Sequence, residues 1–270
     1  MSIADLARKQ GAFKQTQNIK LVVTDLDSTL LRRDKTINEY TVDVFRRVRD
    51  RGVLVAFATA RDFRFVTEYI SPLFGIMPDI MIVDNGALAR YNGNDLYKRL
   101  IPADTVNALL PRFDSARCAS TENAYFLSGE YADGHWSIGK KATIITDFSD
   151  GMKDDVLYLD GSTGNSAAEI TDGFPDIRTV MYSDVNLITI VHREATKLNA
   201  LMAVERALHI STDEIVAFGD DYSDIDWLSY CVNSIAVANA IDEVKTVANY
   251  VCGDCDEDGV AKWLEEWILF

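Results

Sequence analysis

The stretch Lys20-Leu-Val-Val-Thr24, followed at once by Asp25-Leu-Asp27-Ser-Thr-Leu30, decides the fold of this chain. A short apolar and β-branched run of this kind is typical of a buried parallel strand. The two carboxylates that follow it lie at the carboxyl end of that strand, where open α/β sheets bind their ligands. The stretch therefore predicts an α/β protein with a polar site at one edge of its sheet.

The alternation of strand and helix continues downstream. Residues 19–84 read as strand, helix, strand, helix, strand, with Asn38 placed to cap a helix that stops at Gly52. The alternation resumes after about residue 186, beginning with a helix over residues 196–208. This pattern predicts a doubly wound parallel sheet, a Rossmann-like core with helices on both faces.

Residues 87–186 interrupt the pattern. They contain a short helix after Pro102, several strand-like runs and glycine-rich turns. We therefore predict three parts: a polar N-terminal extension over residues 1–18, a core over residues 19–86 and 187–270, and an inserted α/β domain over residues 87–186.

Composition limits the possible partners. The 270 residues are 48% hydrophobic and 26% charged, as in ordinary globular proteins, and carry a net charge of −15. This acidic balance argues against nucleic acid as a partner, because polyanion binding needs a broad basic surface. No apolar run approaches the roughly 20 residues that cross a bilayer, and the first 20 residues are polar, so we expect no membrane partner and a cytoplasmic location.

Three more polar segments recur at strand ends or helix starts. Phe57-Ala-Thr59-Ala-Arg61 follows a second apolar run, Lys197 opens a helical stretch, and Phe218-Gly-Asp220-Asp221-Tyr-Ser223-Asp224 follows a third apolar run. The side chains of these segments converge if their strands are parallel neighbours. The sequence therefore predicts one composite site.

The residue types suit phosphoryl transfer to an aspartate. Of Asp25 and Asp27, one can attack phosphorus, and the other can exchange protons with the leaving group and water if its pKa is raised. Clustered carboxylates suit Mg²⁺, whose charge would also screen them. A threonine, backbone N–H groups and a lysine can hold the phosphoryl oxygens and neutralise their charge.

The four segments resemble the four motifs of the haloacid dehalogenase superfamily over essentially all of residues 19–270. The runs Val83-Asp-Asn85-Gly86-Ala87, Val237-Ala-Asn239-Ala240 and Asp258-Gly-Val-Ala261 resemble its Cof-like branch. That resemblance implies a Mg²⁺-dependent phosphatase acting on a small phosphorylated substrate, often a sugar phosphate. It also implies that the inserted domain is a cap that sets substrate specificity.

The resemblance also implies roles for individual residues. Asp25 would be the nucleophile and Asp27 the general acid/base, with Thr59 and Lys197 completing the catalytic set. Phosphate contacts would come from Thr59, Lys197, Ser223 and the backbone of Leu26 and Ala60. Metal ligands would be the carboxylates of Asp25 and Asp220, the main-chain oxygen of Asp27 and, as an outer ligand, Asp224.

The chain departs from the family pattern at three positions. Ser28 and Ala60 stand where glycine is usual, and Ser223 replaces an asparagine that reaches toward phosphate. The shorter serine would need a bridging water to do the same. None of the three removes a catalytic group.

Several alternatives stay open. The same core supports a phosphotransferase or phosphomutase, whereas a signalling receiver would be about half as long and lack the insertion. A binding protein with lost chemistry would lack the nucleophile or the lysine. Arg61 either contacts substrate or pairs with a core acid, His135 and Trp136 could line the substrate pocket, and Cys252 and Cys255 have a redox or zinc-like spacing without a second pair. The protein is expected to be a monomer or homodimer.

Overall fold

The computed structural model describes residues 18–75, 77–131, 143–180, 182 and 187–269. Almost all of the predicted N-terminal extension and the loop that carries His135 and Trp136 lie outside these ranges. Two β-sheets with flanking helices make up the described part. None of the helices in these ranges is long and apolar enough to cross a membrane.

Fourteen strands occur in the described residues. In chain order they are β1 Leu21–Thr24, β2 Leu54–Ala58, β3 Ile80–Val83, β4 Leu88–Tyr91, β5 Asn94–Lys98, β6 Ser115–Ser120, β7 Tyr125–Ser128, β8 Thr143–Thr146, β9 Tyr158–Ser162, β10 Ile177–Val180, β11 Ile188–His192, β12 Ile215–Gly219, β13 Asn233–Ala236 and β14 Tyr250–Val251.

The α-helices are α1 Glu39–Asp50, α2 Ser71–Phe74, α3 Ala103–Leu109, α4 Ala167–Thr171, α5 Lys197–Leu208, α6 Ile225–Tyr230, α7 Asp242–Val247 and α8 Gly259–Leu264. A π-helical segment over Phe65–Ile70 leads into α2. The side chain of Asn38 caps α1 by accepting from the Tyr40 amide, as the sequence predicts.

The large sheet has the order β14-β13-β12-β1-β2-β3-β4-β5. Its first six strands are parallel to one another. β4 pairs antiparallel with β3, and β5 pairs antiparallel with β4. In this register Thr24 at the end of β1 lies beside Phe57 of β2 and Phe218 of β12. The sheet thus aligns three carboxyl strand ends, and the predicted doubly wound α/β fold is confirmed.

The second sheet has the order β10-β11-β9-β6-β7-β8 and is antiparallel except between β7 and β8. One face, including Leu159 and Ile190, forms a separate apolar cluster with residues of α3 and α4. The other face contributes Tyr158 and Val191 to the main core. The second sheet therefore packs with one face toward the large sheet.

The chain does not pass from one sheet to the other at the predicted boundaries, residues 86/87 and 186/187. The β4–β5 hairpin extends the large sheet, and β11, which follows residue 186, belongs to the second sheet. The prediction relied on βα alternation, and a hairpin adds strands to a sheet without a helix. We propose that the inserted domain begins after β5 and ends after β11.

Candidate active site

A cavity of about 270 Å³ lies where the carboxyl ends of β1, β2 and β12 meet the second sheet. All of the predicted site residues except Leu26 line it: Asp25, Asp27, Thr59, Ala60, Lys197, Asp220, Ser223 and Asp224. Leu26 is fully buried, and its predicted contact involves only its backbone. The structure therefore brings together segments that are far apart in the sequence.

Lys197 lies at the centre of this group. Its Nζ donates to Oδ1 of Asp25 at 2.7 Å and to Oδ1 of Asp224 at 2.6 Å. Burial alone lowers the pKa of Lys197, but the two carboxylates outweigh burial and raise it above its usual range. Lys197 is therefore a fixed cation beside the Asp25 carboxylate.

Asp224 organises the loop after β12. It is fully buried, and its Oδ2 accepts from the backbone N–H groups of Asp220 and Asp221 at 2.9 and 3.1 Å. Its Oδ1 also accepts from the Trp227 indole at 3.0 Å. A Cβ on Gly219 would lie 2.7 Å from Asp224, so only glycine allows this close approach.

Asp25, Asp220 and Asp224 form an acidic cluster whose ligand atoms all lie within 4.8 Å of one another. Burial, opposed by Lys197, raises the pKa of Asp25 to about 7. Burial and the charges of Asp25 and Asp224 raise the pKa of Asp220 to about 9. Concentrated negative charge on hard oxygen atoms is what a divalent cation relieves, so these residues fit a metal ion.

Asp27 lies outside that cluster and is held by two cations. Arg61 donates from Nε and Nη2 to its two carboxylate oxygens, each at 2.9 Å, and Lys35 Nζ lies 2.9 Å from Oδ1. Burial raises the pKa of Asp27, but the ion pairs outweigh burial and hold it well below its usual range. The raised pKa that a general acid requires is therefore not found in this arrangement.

The loop after β1 brings further groups to the cavity. Ser28 has a φ of 60°, which explains why glycine suits this position. Its carbonyl accepts from Asn239 at 2.6 Å, and Thr29 donates to Asp220 at 2.6 Å. Just after the end of β2, the buried Thr59 hydroxyl accepts from the Arg61 amide at 3.1 Å.

Sequence reasoning missed several residues that line the cavity: Arg33, Lys35, Tyr158, Asp160, Tyr182 and Leu187. Two of them follow strict strand alternation, since Tyr158 and Asp160 lie two apart on β9. This two-residue spacing is the sequence signal that places Tyr158 and Asp160 on the same face of β9. The sequence does not reveal which face of a strand in an inserted domain meets the core.

All four cysteines are buried, and none of them forms a disulfide bond. Burial raises the pKa of Cys252 above its usual range and that of Cys255 to about 12, which disfavours a reactive thiolate. Cys252 and Cys255 therefore have the properties of structural thiols.

The family model for haloacid dehalogenase-like hydrolases matches residues 22–264. Among curated proteins, the chain is 28% identical to the 5-amino-6-(5-phospho-D-ribitylamino)uracil phosphatase YitU of Bacillus subtilis, over 92% of this chain and 97% of that protein.

Solved structures show the same fold. SMU.1108c from Streptococcus mutans matches with a TM-score of 0.80 at 18% identity, covering 93% of this chain and all of that one. The subclass IIB sugar phosphatase BT4131 matches with a TM-score of 0.77 at 20% identity and the same coverage.

Proposed function

The chain belongs to the haloacid dehalogenase-like hydrolases, as a phosphatase of the Cof-like type, and we propose that it hydrolyses a small phosphomonoester through an aspartyl phosphate formed on Asp25. One observation carries the proposal. Asp25, at the end of β1, is paired with a buried lysine and clustered with Asp220 and Asp224 inside a cavity. This combination gives a carboxylate nucleophile a cation that offsets the charge of an incoming phosphoryl group.

In the first step, a carboxylate oxygen of Asp25 bonds to phosphorus as the bond to the leaving-group oxygen breaks. That oxygen takes a proton from Asp27. Water then attacks phosphorus and gives a proton to Asp27 as the bond between phosphorus and the Asp25 oxygen breaks, which regenerates the Asp25 carboxylate and releases inorganic phosphate. Thr59, Lys197, Ser223 and the backbone at Leu26 and Ala60 would hold the phosphoryl oxygens throughout.

Asp27 can carry the required proton only when its ion pairs loosen. Arg61 and Lys35 both line the cavity, where the phosphate of the substrate is a competing anion. If either cation turns toward that phosphate, the pKa of Asp27 rises. Binding of the substrate would thereby prepare its own general acid.

The acidic cluster supports a requirement for Mg²⁺. The carboxylates of Asp25 and Asp220 would hold the ion, with Asp27 through its main-chain oxygen and Asp224 as an outer ligand. Bound Mg²⁺ would supply positive charge next to the phosphoryl oxygens.

A sugar phosphate or a related metabolite is the substrate class we propose. The cavity suits a small metabolite, and the matches include YitU and the sugar phosphatase BT4131, whose names describe such substrates. The fate of the phosphoryl group separates hydrolysis from transfer: a phosphatase releases inorganic phosphate whether or not an acceptor sugar is present.

Release of phosphate from a panel of sugar phosphates and from p-nitrophenyl phosphate tests the proposal. Asp25→Asn should lower kcat by at least about 10³-fold, because an amide is nearly isosteric but cannot form the acyl phosphate. A chelator should abolish activity, Mg²⁺ should restore it, and Ca²⁺ should inhibit it because Ca²⁺ favours a larger coordination shell. Asp154→Asn, at an exposed position in the inserted domain, is the matched control.

Two results would refute the mechanism. One is an Asp25→Asn variant that keeps a substantial fraction of the wild-type kcat. The other is full activity in excess chelator after exhaustive dialysis.

A further inference from the structure

The three carboxylates of the acidic cluster differ in how many hydrogen bonds they accept. Oδ1 of Asp224 accepts from Lys197 at 2.6 Å and from the Trp227 indole at 3.0 Å. Its Oδ2 accepts from the backbone N–H groups of Asp220 and Asp221 at 2.9 and 3.1 Å. A carboxylate offers about four lone-pair sites, and these donors occupy all of them. Asp224 therefore has no lone pair left for a metal ion in this arrangement.

The other two carboxylates of the cluster keep acceptor capacity. Asp25 accepts from Lys197 through Oδ1, and Asp220 accepts from Thr29 through Oδ1. Among the residues that the structure describes, no donor forms a hydrogen bond to Oδ2 of either carboxylate. The hydrogen bonding thus leaves Asp25 and Asp220 able to bind an ion directly, whereas Asp224 can act only through a water or another ligand.

Trp227 reaches Asp224 because of its position in α6. The helix begins directly after Asp224, and side chains three residues apart lie on the same face of a helix. Trp227 is fully buried, so its indole N–H depends on a protein acceptor rather than on water. Its ring centroid also lies 5.8 Å from Lys197 Nζ, within the range of a cation–π interaction. Trp227 therefore contacts both the carboxylate and the cation that pairs with it.

We propose that Trp227 is a positioning residue that keeps the Asp224 carboxylate out of direct metal coordination and thereby favours Mg²⁺ over Ca²⁺. This inference rests on the proposed function and adds how the site selects its metal. Mg²⁺ keeps several waters and is held by one or two carboxylates, whereas Ca²⁺ takes about six to eight oxygen ligands. Without the indole N–H, the Asp224 carboxylate can turn and supply a further oxygen ligand. That change benefits Ca²⁺ more than Mg²⁺.

Binding of each metal ion alone to the full-length protein tests this inference. Isothermal titration calorimetry gives the Kd of Mg²⁺ and the Kd of Ca²⁺ for wild type, Trp227→Phe and Trp227→Met. Both substitutions remove the N–H donor and keep an apolar side chain, but of different shape. We expect the ratio of the Ca²⁺ Kd to the Mg²⁺ Kd to fall at least about 5-fold in both variants. Asp220→Asn, which removes a proposed direct ligand, should weaken the binding of both ions and so locate them at the acidic cluster.

The ratio of the two dissociation constants does not depend on the fraction of competent protein, so partial misfolding of a variant does not distort it. If one Trp227 variant fails to fold, the other decides. Trp263→Phe removes a different core indole, one that packs edge-on against Phe218, and should leave the wild-type ratio unchanged. A purely structural role of Trp227 would lower the free energy of unfolding without changing the ratio. That result would overturn the inference, and so would an equal change of the ratio in Trp263→Phe.

Failure of the proposed function would have a different signature, because the titrations do not use the reaction. If wild type binds Mg²⁺ but does not hydrolyse p-nitrophenyl phosphate, the phosphatase proposal falls. If wild type hydrolyses p-nitrophenyl phosphate and the ratio is unaffected by loss of the Trp227 indole, that proposal stands and the assignment of Trp227 falls. Absence of Mg²⁺ binding by wild type would overturn the assignment of Trp227 together with the proposed metal requirement.

Discussion

At the scale of single residues, the site is a set of charges that hold one another in place. Lys197 is shared between Asp25 and Asp224, and Asp27 is clamped by Arg61 and Lys35. The sequence left open whether Arg61 touches substrate or pairs with a core acid. The structure shows the pairing with Asp27, which sequence reasoning could not detect because it depends on a loop conformation rather than on spacing.

Arg61→Met should destabilise the protein by about 1–3 kcal/mol at neutral pH, since it removes two charge-assisted hydrogen bonds. The pKa of Asp27 is lowered in the folded state, so this stabilisation is present above the unfolded aspartate pKa, near 4. It is lost as the pH falls through the folded value. Thermal melts should therefore show the largest difference from wild type at neutral pH and a shrinking one below about pH 4.

Arg90→Met is the control for that series, because it breaks the more peripheral pair between Arg90 and Asp95. Arg90→Met should lower the free energy of unfolding by less than about 1 kcal/mol. A difference in Tm for Arg61→Met that stays constant from pH 7 to pH 3 would show that packing of Arg61 on the Phe65 ring, rather than its charge, is what stabilises.

At the scale of elements, the site depends on how closely the turn after β3 approaches the start of α5. Gly86 has a φ of +83°, and a Cβ there would lie 2.3 Å from the backbone of Thr196 and 2.6 Å from the amide of Lys197. The side chain of Thr196 caps α5 by accepting from the Asn199 amide at 2.9 Å. The position of Lys197 is therefore set by a turn more than a hundred residues earlier in the chain.

Gly86→Ala should destabilise the fold by several kcal/mol and lower kcat, since α5 and its lysine must move. Gly93→Ala is the matched control: its φ is +78°, but nothing lies within 4 Å of the added Cβ. It should cost only the strain of positive φ, about 1–2 kcal/mol, with kcat unchanged. The free energies of unfolding are measured in urea. Equal decreases for Gly86→Ala and Gly93→Ala would show that the close approach of Gly86 to the start of α5 is not what stabilises the fold.

At the scale of the whole molecule, the sequence predicted the core well and the inserted domain only roughly. Alternation and strand-end motifs located β1, β2, β3, β12 and α5, because parallel strands leave local apolar runs. The sequence analysis missed the β4–β5 hairpin, whose second strand is largely polar and partly exposed, and the strand β11. These strands pair antiparallel with β3, β4, β9 and β10, so they do not follow the βα alternation on which the prediction relied.

Contacts between Tyr97, Arg99 and Glu194 support the proposed boundaries of the inserted domain. Arg99 Nε lies 2.7 Å from Glu194 Oε2, and the Tyr97 hydroxyl donates to the carbonyl of Glu194 at 2.6 Å. Replacing residues 100–193 with a short glycine-rich linker should leave a folded core that hydrolyses p-nitrophenyl phosphate but no longer ranks sugar phosphates. A capless core with an unchanged substrate ranking would place specificity in the core.

A deletion at the boundaries predicted from the sequence should behave differently from the replacement of residues 100–193. Removing residues 87–186 takes away the β4–β5 hairpin and leaves β11 without its neighbours. It should therefore expose an edge of the large sheet and aggregate.

The position of β1 between β2 and β12 also has a consequence for synthesis of the chain. β2 emerges from the ribosome soon after β1, but β12 follows only after the entire inserted domain. At 5–20 residues per second this delay is roughly 10–40 s, during which an apolar strand keeps an unpaired edge. The nascent chain should accordingly depend on chaperones until β12 arrives, and Asp25, the proposed nucleophile at the end of β1, can pair with Lys197 only after the inserted domain has been synthesised.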